Sequence, residues 1–245
     1  MIMLPFTVYD AGDTGLVVDF GDRIDARINH YVLRLANRLD ALALAGVAET
    51  VPSFRSLLIQ YDPCVLSAKS LLAKVEDLLH NADAVPVAGH LWHLPICYDK
   101  AVAEDISSLA EQVGLSESSV IEAHSSRTYS IYMLGFLPGQ PYLGDLAPEL
   151  RVSRRANPRL KVPGGSVGVA TSLTSIFPLE TPCGWHVIGR TPISLWHRSV
   201  DRGPLLAPGD QVMFEPVCLE RFAVLSAMAA SGALQLHPET VARPS

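Results

Sequence analysis

The sequence predicts two domains of different class, an N-terminal α+β domain followed by an all-β barrel or sandwich, on three observations. The chain has 245 residues, which exceeds the most common size of a single domain. Its first third alternates short apolar runs with amphipathic helical stripes. From Arg127 to Pro216, turn signals recur about every eight to twelve residues between short β-prone runs, a spacing typical of a barrel or a sandwich.

The N-terminal domain is predicted to span residues 1–83. Its apolar pattern switches between short runs and stripes with spacings of three and four, which distinguishes strands from helices. The predicted elements are a strand at 16–20, a helix over 24–42 with Asp25 as N-cap and Gly46 beyond its end, strands at 47–51 and 56–61, and a helix capped by Ser67. This order is that of a ferredoxin-like split βαβ domain.

Residues 84–90 (AVPVAGH) are small and turn-prone, and they are interpreted as a linker. The β domain is then predicted to span 91–218. Its predicted elements are a strand at 91–98, helices at 104–113 and 117–124, and β-prone runs that include TYSIYML, SVGVAT, WHVIG and QVMFEPV. Residues 219–245 are predicted to form an amphipathic helix over 219–230 and a frayed tail.

Composition and charge exclude several classes of function. The chain is 49% hydrophobic and 18% charged, so it can bury a core. Its net charge is −6 and its 19 Lys and Arg are scattered, which argues against nucleic acid as a partner. Pro and Gly break the longest uncharged stretches, so no membrane span is expected. The N-terminus has no basic region and the four cysteines form no CxxC pair, so we expect a cytoplasmic protein.

Glycine and proline are concentrated in two segments, 135–144 (GFLPGQPYLG) and 163–168 (PGGSVG), where the backbone must turn sharply or approach something closely. Tight barrel corners are one interpretation. A pocket lining is the other, because Tyr142 and Ser166 accompany the two segments. Consecutive backbone N–H groups within the segment 163–166 favour an anion-binding nest, although the motif is not the P-loop that binds ATP phosphates.

Charged residues supply further candidates. At a predicted helix end, the His124 imidazole can act as a general base and the Arg127 guanidinium can hold a carboxylate. The alternative is a histidine that interacts only with the helix dipole. The basic cluster of the chain comprises Arg154, Arg155, Arg159 and Lys161. It is either a solvated loop or a site for a carboxylate or carboxyphosphate.

Trp185 and Arg190 offer a stacking wall and an anion ligand, with a tryptophan buried in the barrel core as the alternative. His90 and His93 lie on opposite faces of a predicted strand, so they form no zinc pair and no metal is expected. Composition and spacing therefore indicate a two-domain protein with an anion-binding cleft in its β domain.

Four motifs in fixed order, GFLPGQPYLGDL, PRLKVPGGSVGVA, TPCGW and IGRTP, resemble the family of 5-oxoprolinase B subunits, which includes KipI and allophanate hydrolase subunit 1. The resemblance extends from about residue 16 to about residue 216 and implies a cyclophilin-like barrel as the second domain. It also implies a complex with an A subunit and a KipA-like C subunit. That complex would open the lactam of 5-oxo-L-proline to L-glutamate with ATP as cofactor, at an ATP site not located in this chain.

Together with the residues above, the resemblance implies a set of site residues. The catalytic candidates are His124, Ser166 and Thr174. The substrate-binding candidates are Arg127, Tyr142, Gly165, Trp185, Arg190 and Thr191. In this set His124 would be an acid/base or orienting group, and Gly165 and Ser166 would donate backbone and hydroxyl hydrogen bonds.

The chain departs from the family pattern at several positions, among them Gln140, Leu173, Ser175 and Cys183. The family residues there are Phe, Gln, Gly and Gly. Loss of a polar group at a binding site can change substrate preference by orders of magnitude, so a different amide substrate is one alternative. A KipI-like inhibitor of a histidine kinase and a protein related to allophanate hydrolase or urea carboxylase are the others.

Overall fold

The computed structural model describes residues 4–80, 88–197 and 203–242. The chain divides into two compact units, 1–88 with 242–245 and 89–241, and each is described by itself. Within the predicted linker, residues 84–87 lie outside the described residues. The strand expected from residue 91 already begins at Ala88.

The N-terminal unit is a four-stranded antiparallel sheet with two helices. Its elements are β1 (Thr7–Asp10), β2 (Gly15–Asp19), α1 (Ala26–Leu42), β3 (Val47–Pro52), β4 (Ser56–Tyr61) and α2 (Ala68–His80). The strand order is β1-β2-β4-β3. Because β4 is antiparallel to both of its neighbours, β2 and β3 are parallel, and α1 joins them.

Local signals set the ends of these helices. The Asp25 carboxylate accepts a hydrogen bond from the Arg27 backbone at 2.7 Å, and the Ser67 hydroxyl accepts one at the start of α2, as N-caps do. α1 ends at Ala43 in the left-handed region, three residues before the glycine expected there. β1 was not predicted, because most of its residues are exposed and carry no apolar pattern. The buried core of this unit includes Leu16, Val18, Val32, Leu35, Leu39, Leu57, Ile59, Leu71 and Val75.

The C-terminal unit is built around a closed seven-stranded β-barrel, so the barrel alternative is correct and the sandwich is not. Its strands are β5 (Ala88–Cys97), β6 (Thr128–Leu134), β7 (Pro141–Leu143), β8 (Arg159–Val162), β9 (Ser166–Ala170), β10 (Leu173–Ile176), β11 (Thr181–Cys183), β12 (His186–Arg190), β13 (Gln211–Val217) and β14 (Glu239–Ala242). The barrel order is β12-β9-β10-β7-β6-β13-β5, and a pairing of β12 with β5 closes it.

The helices of this unit are α3 (Ile106–Val113), α4 (Glu117–Ser125) and α5 (Leu219–Ala230), with a 3-10 turn at Pro148–Leu150. β8 and β11 form a separate two-stranded ribbon. The residues expected to be a frayed tail include β14, which joins the barrel sheet beside β5. Within the described ranges, no helix has the length and apolar character needed to cross a membrane.

One contiguous apolar core fills the barrel interior, and every barrel strand contributes to it. The contributors on the strands include Leu94, Ile96, Tyr129, Ile131, Leu143, Val167, Val169, Ile176, Ile188, Val212 and Phe214. Since successive strand residues point to opposite faces, the positions between these residues lie on the outer face of the barrel.

Candidate functional site

Both glycine-rich loops lie at the same end of three neighbouring strands. Residues 135–140 lead into β7, and residues 163–165 lead into β9. Both strands pair antiparallel with β10, which lies between them. β7 and β9 are therefore parallel and start at the same end, so the two loops approach one region of the barrel.

Strand register places a row of residues across the outer face of the barrel. Ser175 pairs with Tyr142 on one side and with Gly168 on the other, and Gly168 pairs with Val187. Directly paired residues share a face. Ile176, the neighbour of Ser175, belongs to the interior core, so the row faces outward.

Aromatic rings stand over this row. The Trp185 ring lies 6.0 Å from the Tyr142 ring and 6.2 Å from the Phe177 ring, in edge-on arrangements that favour aromatic packing. Gly168 leaves room for them, because an added Cβ would lie 3.1 Å from Phe177 and 3.2 Å from the Trp185 Cβ, which is a tight fit. Trp185 is thus buried, but outside the barrel core.

Ser166 and Arg190 supply the polar side of the same face. They pair directly across β9 and β12. The Arg190 Nε donates to the Gly164 carbonyl at 3.0 Å, and its terminal nitrogens have no partner within the described part of the chain. A guanidinium anchored in this way can present two parallel donors to a carboxylate. We call Tyr142, Ser166, Gly168, Ser175, Phe177, Trp185 and Arg190 the outer-face cluster.

A second positive charge lies near this cluster. Burial raises the pKa of the Tyr142 hydroxyl, and the charge of Arg154 opposes that rise. The other members of the predicted basic cluster are paired. Asp105, which is 2% exposed, binds Arg155 and Arg159 and also accepts from the Val187 backbone at 2.8 Å. Arg154 is therefore the exposed member whose charge acts on the outer-face cluster.

His124 and Thr174 lie on the other side of the barrel wall. His124 has no exposed surface; its Nδ1 is hydrogen bonded to the Tyr98 hydroxyl at 2.7 Å and its Nε2 to the Thr174 hydroxyl at 3.0 Å. The imidazole stacks on Phe214 of the interior core at 4.7 Å. Burial lowers the pKa of His124 to about 3. The predicted catalytic side chains of His124 and Thr174 are therefore hydrogen bonded to each other in the barrel core, and they do not join the outer-face cluster.

Two donors of the predicted anion-binding nest are hydrogen bonded within the chain. The Gly165 N–H donates to the Phe177 carbonyl at 2.7 Å, and the Ser166 N–H donates to the Pro163 carbonyl at 3.2 Å. These donors are therefore not available to an anion or to ATP phosphates. The backbone itself requires glycine at position 165, because φ there is +84° and an added Cβ would lie 2.4 Å from the Thr191 carbonyl oxygen.

Two further predicted residues do not join the outer-face cluster. The Thr191 hydroxyl accepts from the Ile193 backbone at 3.3 Å and is buried, so it is occupied in a local turn. Arg127 follows α4; burial raises the pKa of Tyr129, and the Arg127 charge opposes that rise. Arg127 therefore lies close enough to Tyr129 for its charge to act on that hydroxyl. In the described residues, no hydrogen bond or ion pair joins it to Trp185 or Arg190.

Phe177, Gly168 and the pair Gln140–Ser175 were not singled out as site residues. Alternation along β10 could have separated Thr174 from Ser175, but the sequence does not say which face is the interior. Gln140 and Ser175 were noted as two unrelated departures, whereas the Gln140 amide donates to the Ser175 hydroxyl at 3.1 Å. In the part of the chain that is described, no three His, Cys, Asp or Glu residues form a group that could hold a metal ion.

The fold and the motifs together place the chain in a class. Residues 6–206 match the family model of the carboxyltransferase domain, subdomain C and D, so the chain is a carboxyltransferase-type C/D protein. It is 35% identical over 208 residues to the 5-oxoprolinase B subunit of Escherichia coli O157:H7, in a match that covers 85% of this chain and 94% of that protein. The chain therefore belongs to the family of 5-oxoprolinase B subunits.

Solved structures agree with this fold. The crystal structure of TTHA0988 has a TM-score of 0.74 at 33% identity and covers 83% of this chain. The chain spans only 40% of that solved chain. The crystal structure of urea amidolyase from Kluyveromyces lactis has a TM-score of 0.80 over 98% of this chain, and the match covers 16% of that chain. At 23% identity, this likeness shows a shared fold and nothing more.

Proposed function

We propose that the chain is the B subunit of an ATP-dependent 5-oxoprolinase that converts 5-oxo-L-proline to L-glutamate. The observation that carries the proposal is the outer-face cluster, where an anchored guanidinium, a free hydroxyl and three aromatic rings converge. The identity to the Escherichia coli 5-oxoprolinase B subunit, over 94% of that protein's length, supports it.

The chemistry of the substrate matches this cluster group by group. Its carboxylate suits the terminal nitrogens of Arg190, which can bind it bidentately. Its flat lactam ring suits the faces of Trp185 and Phe177. The Ser166 hydroxyl has no hydrogen bond within the described residues, so it is available as a donor to the lactam oxygen. Positioning of this kind removes much of the entropic part of a reaction barrier.

The difficult step is cleavage of an amide whose ring nitrogen is a poor leaving group. ATP, when bound by the complex, would activate the lactam carbonyl. The backbone N–H groups of Gly165 and Ser166 are occupied by bonds within the chain, so this loop does not support a nucleotide site here. The role of this chain is therefore to bind and orient the lactam, while another protein of the complex supplies the nucleotide site.

We propose that the partners are an A subunit together with a KipA-like C subunit, with activity only in the complex. Relatives that are far longer than this chain, of which it spans 40% and 16%, are consistent with a need for further domains. The exposed thiols of Cys64 and Cys218 suit a reducing compartment, so we place the complex in the cytoplasm.

We also propose the finer domain description. The N-terminal domain, 1–83, would be a ferredoxin-like split βαβ unit in which β1 occupies the edge normally taken by a strand after the second helix. The C-terminal domain, 91–218, would be a cyclophilin-like barrel.

The test is reconstitution. The purified chain, combined with the A and C subunits from the same genome, is supplied with 5-oxo-L-proline and ATP while glutamate and ADP are measured. We expect both products in equal amounts from the complex and none from this chain alone. Arg190→Ala should raise KM at least about tenfold, whereas the exposed control Arg221→Ala should not. A folded complex that forms no glutamate would contradict the proposal.

A further inference from the structure

A buried amide with a fixed orientation lies beside the outer-face cluster. Gln140, which is 1% exposed, precedes β7, and its Nε2 donates to the Ser175 hydroxyl at 3.1 Å. That hydroxyl in turn donates to the Pro141 carbonyl at 2.9 Å. Because a serine hydroxyl has one hydrogen, it can only accept from Gln140. If the amide were flipped, its Oε1 would face the Ser175 hydroxyl oxygen, so two acceptors would lie opposite each other.

The other end of this amide has no partner. The Gln140 Oε1 atom has less than 1 Å² of exposed surface and receives no hydrogen bond in the described residues. Buried acceptors of this kind are rare in folded proteins, because each one loses its hydrogen bonds to water without replacement. A group that donates a hydrogen bond to this atom would recover that loss.

The position of this acceptor ties it to the ligand site. Ser175, which holds the amide, pairs with Tyr142 in the register of β7 and β10. Gln140 lies directly before β7 and two residues before Tyr142. The chain just before Gln140, residues 135–139, turns through left-handed residues at Phe136 and Gly139. Phe136 is 72% exposed, so the outward side of this loop is not held by packing of that ring.

We propose that Gln140 is a specificity-determining residue whose Oε1 accepts a hydrogen bond from the ring N–H of a lactam when the preceding residues 135–139 move aside. Ser175 is a positioning residue that keeps this oxygen facing the ligand. The inference rests on the proposed function, because it assigns the second polar group of the same substrate. A carbonyl oxygen accepts a hydrogen bond from an N–H and disfavours an isostere that has an oxygen in place of the N–H.

The experiment compares two ligands of the same shape. Isothermal titration of the complex of this chain with the A and C subunits would use 5-oxo-L-proline and its lactone isostere, 5-oxotetrahydrofuran-2-carboxylate. We expect the wild type to bind the lactam at least about tenfold more tightly. In Gln140→Met, which keeps the volume but removes the amide, this ratio should fall to about one. Ser175→Ala should lower it partly, because the amide is then free to rotate.

Controls separate this role from a structural one. Gln112→Met, an exposed position on α3, should leave the ratio unchanged. If Gln140→Met does not fold, as judged by its Tm, the ratio in Ser175→Ala carries the test. Equal binding of both ligands by the wild type, or an unchanged ratio in both variants, overturns this inference alone. Binding of neither ligand by the wild type overturns the proposed function, and this inference with it.

Discussion

His124 illustrates how burial decides what a titratable residue can do. Its sequence context, at a helix end and followed by two serines, is compatible with a general base. The structure instead gives both ring nitrogens hydrogen-bond partners inside the barrel core. Its depressed pKa follows from burial. A neutral, fully hydrogen-bonded imidazole in a core stabilises the fold, and it does not exchange protons with a ligand on the outer face.

Replacement of His124 should therefore affect stability first. His124→Ala leaves the hydroxyls of Tyr98 and Thr174 without their partner and opens a cavity against Phe214. We expect a loss of about 2–4 kcal/mol in the free energy of unfolding, measured by urea denaturation. His237→Ala, at an exposed position, should change it by less than about 0.5 kcal/mol. A stable His124→Ala protein would contradict the core role.

The same residue should make stability depend on pH. The pKa of His124 is about 3 in the folded state against an ordinary value of 6.5, so the unfolded chain binds a proton below pH 6.5 that the folded chain does not. The contribution of His124 to the free energy of unfolding is fully present above pH 6.5. It is lost as the pH falls toward 3, at about 1 kcal/mol per pH unit. The unfolding free energy of wild type relative to His124→Gln, measured from pH 7.5 to 4.5, should follow this slope. If the unfolding free energies of the two proteins changed in parallel with pH, this role of His124 would be excluded.

At the scale of elements, β10 separates the predicted site into two groups. Thr174 points into the barrel and Ser175 out of it, because successive strand residues alternate. The motifs therefore identified the strands and loops of the site, but not which side of the wall each residue faces. That assignment depends on the pairing of β10 with β7, which is about thirty residues away in the sequence, and on which face of the strands becomes the inside of the closed barrel.

Asp105 connects elements in a way that the sequence could not indicate. It precedes α3, but its side chain makes no capping bond. It binds instead to arginines about fifty positions away and to the backbone of β12. The basic cluster around Arg155 and Arg159 is therefore mainly a structural connection, and only burial of the carboxylate reveals this.

Asp105→Asn tests this connection. The change removes a buried charge that pairs with two guanidinium groups, and we expect a loss of about 3 kcal/mol in the free energy of unfolding. The matched control is Glu104→Gln, since Glu104 also pairs with Arg159 but is 44% exposed. Its effect should stay below about 1 kcal/mol. Chemical denaturation of both variants makes the comparison, and equal effects would refute the structural role of Asp105.

At the scale of the whole molecule, apolar periodicity was enough to place most elements. The amphipathic stripes of α1 and α2 and the β-prone runs of the barrel lie where the structure has them. β1 and β14 were missed, because edge strands on a sheet bury little and carry no apolar pattern. Closure of the barrel was not predictable either, because the pairing of β12 with β5 joins residues far apart in the sequence.

The central claim is that this barrel binds a small lactam carboxylate on its outer wall and not in its interior. The most direct measurement is a crystal structure of the complex with 5-oxo-L-proline bound. We predict the ligand ring against Trp185, with its carboxylate on the terminal nitrogens of Arg190 and its lactam oxygen within hydrogen-bond distance of Ser166. Density for the ligand inside the barrel beside His124, or elsewhere with the outer-face cluster empty, would contradict the account.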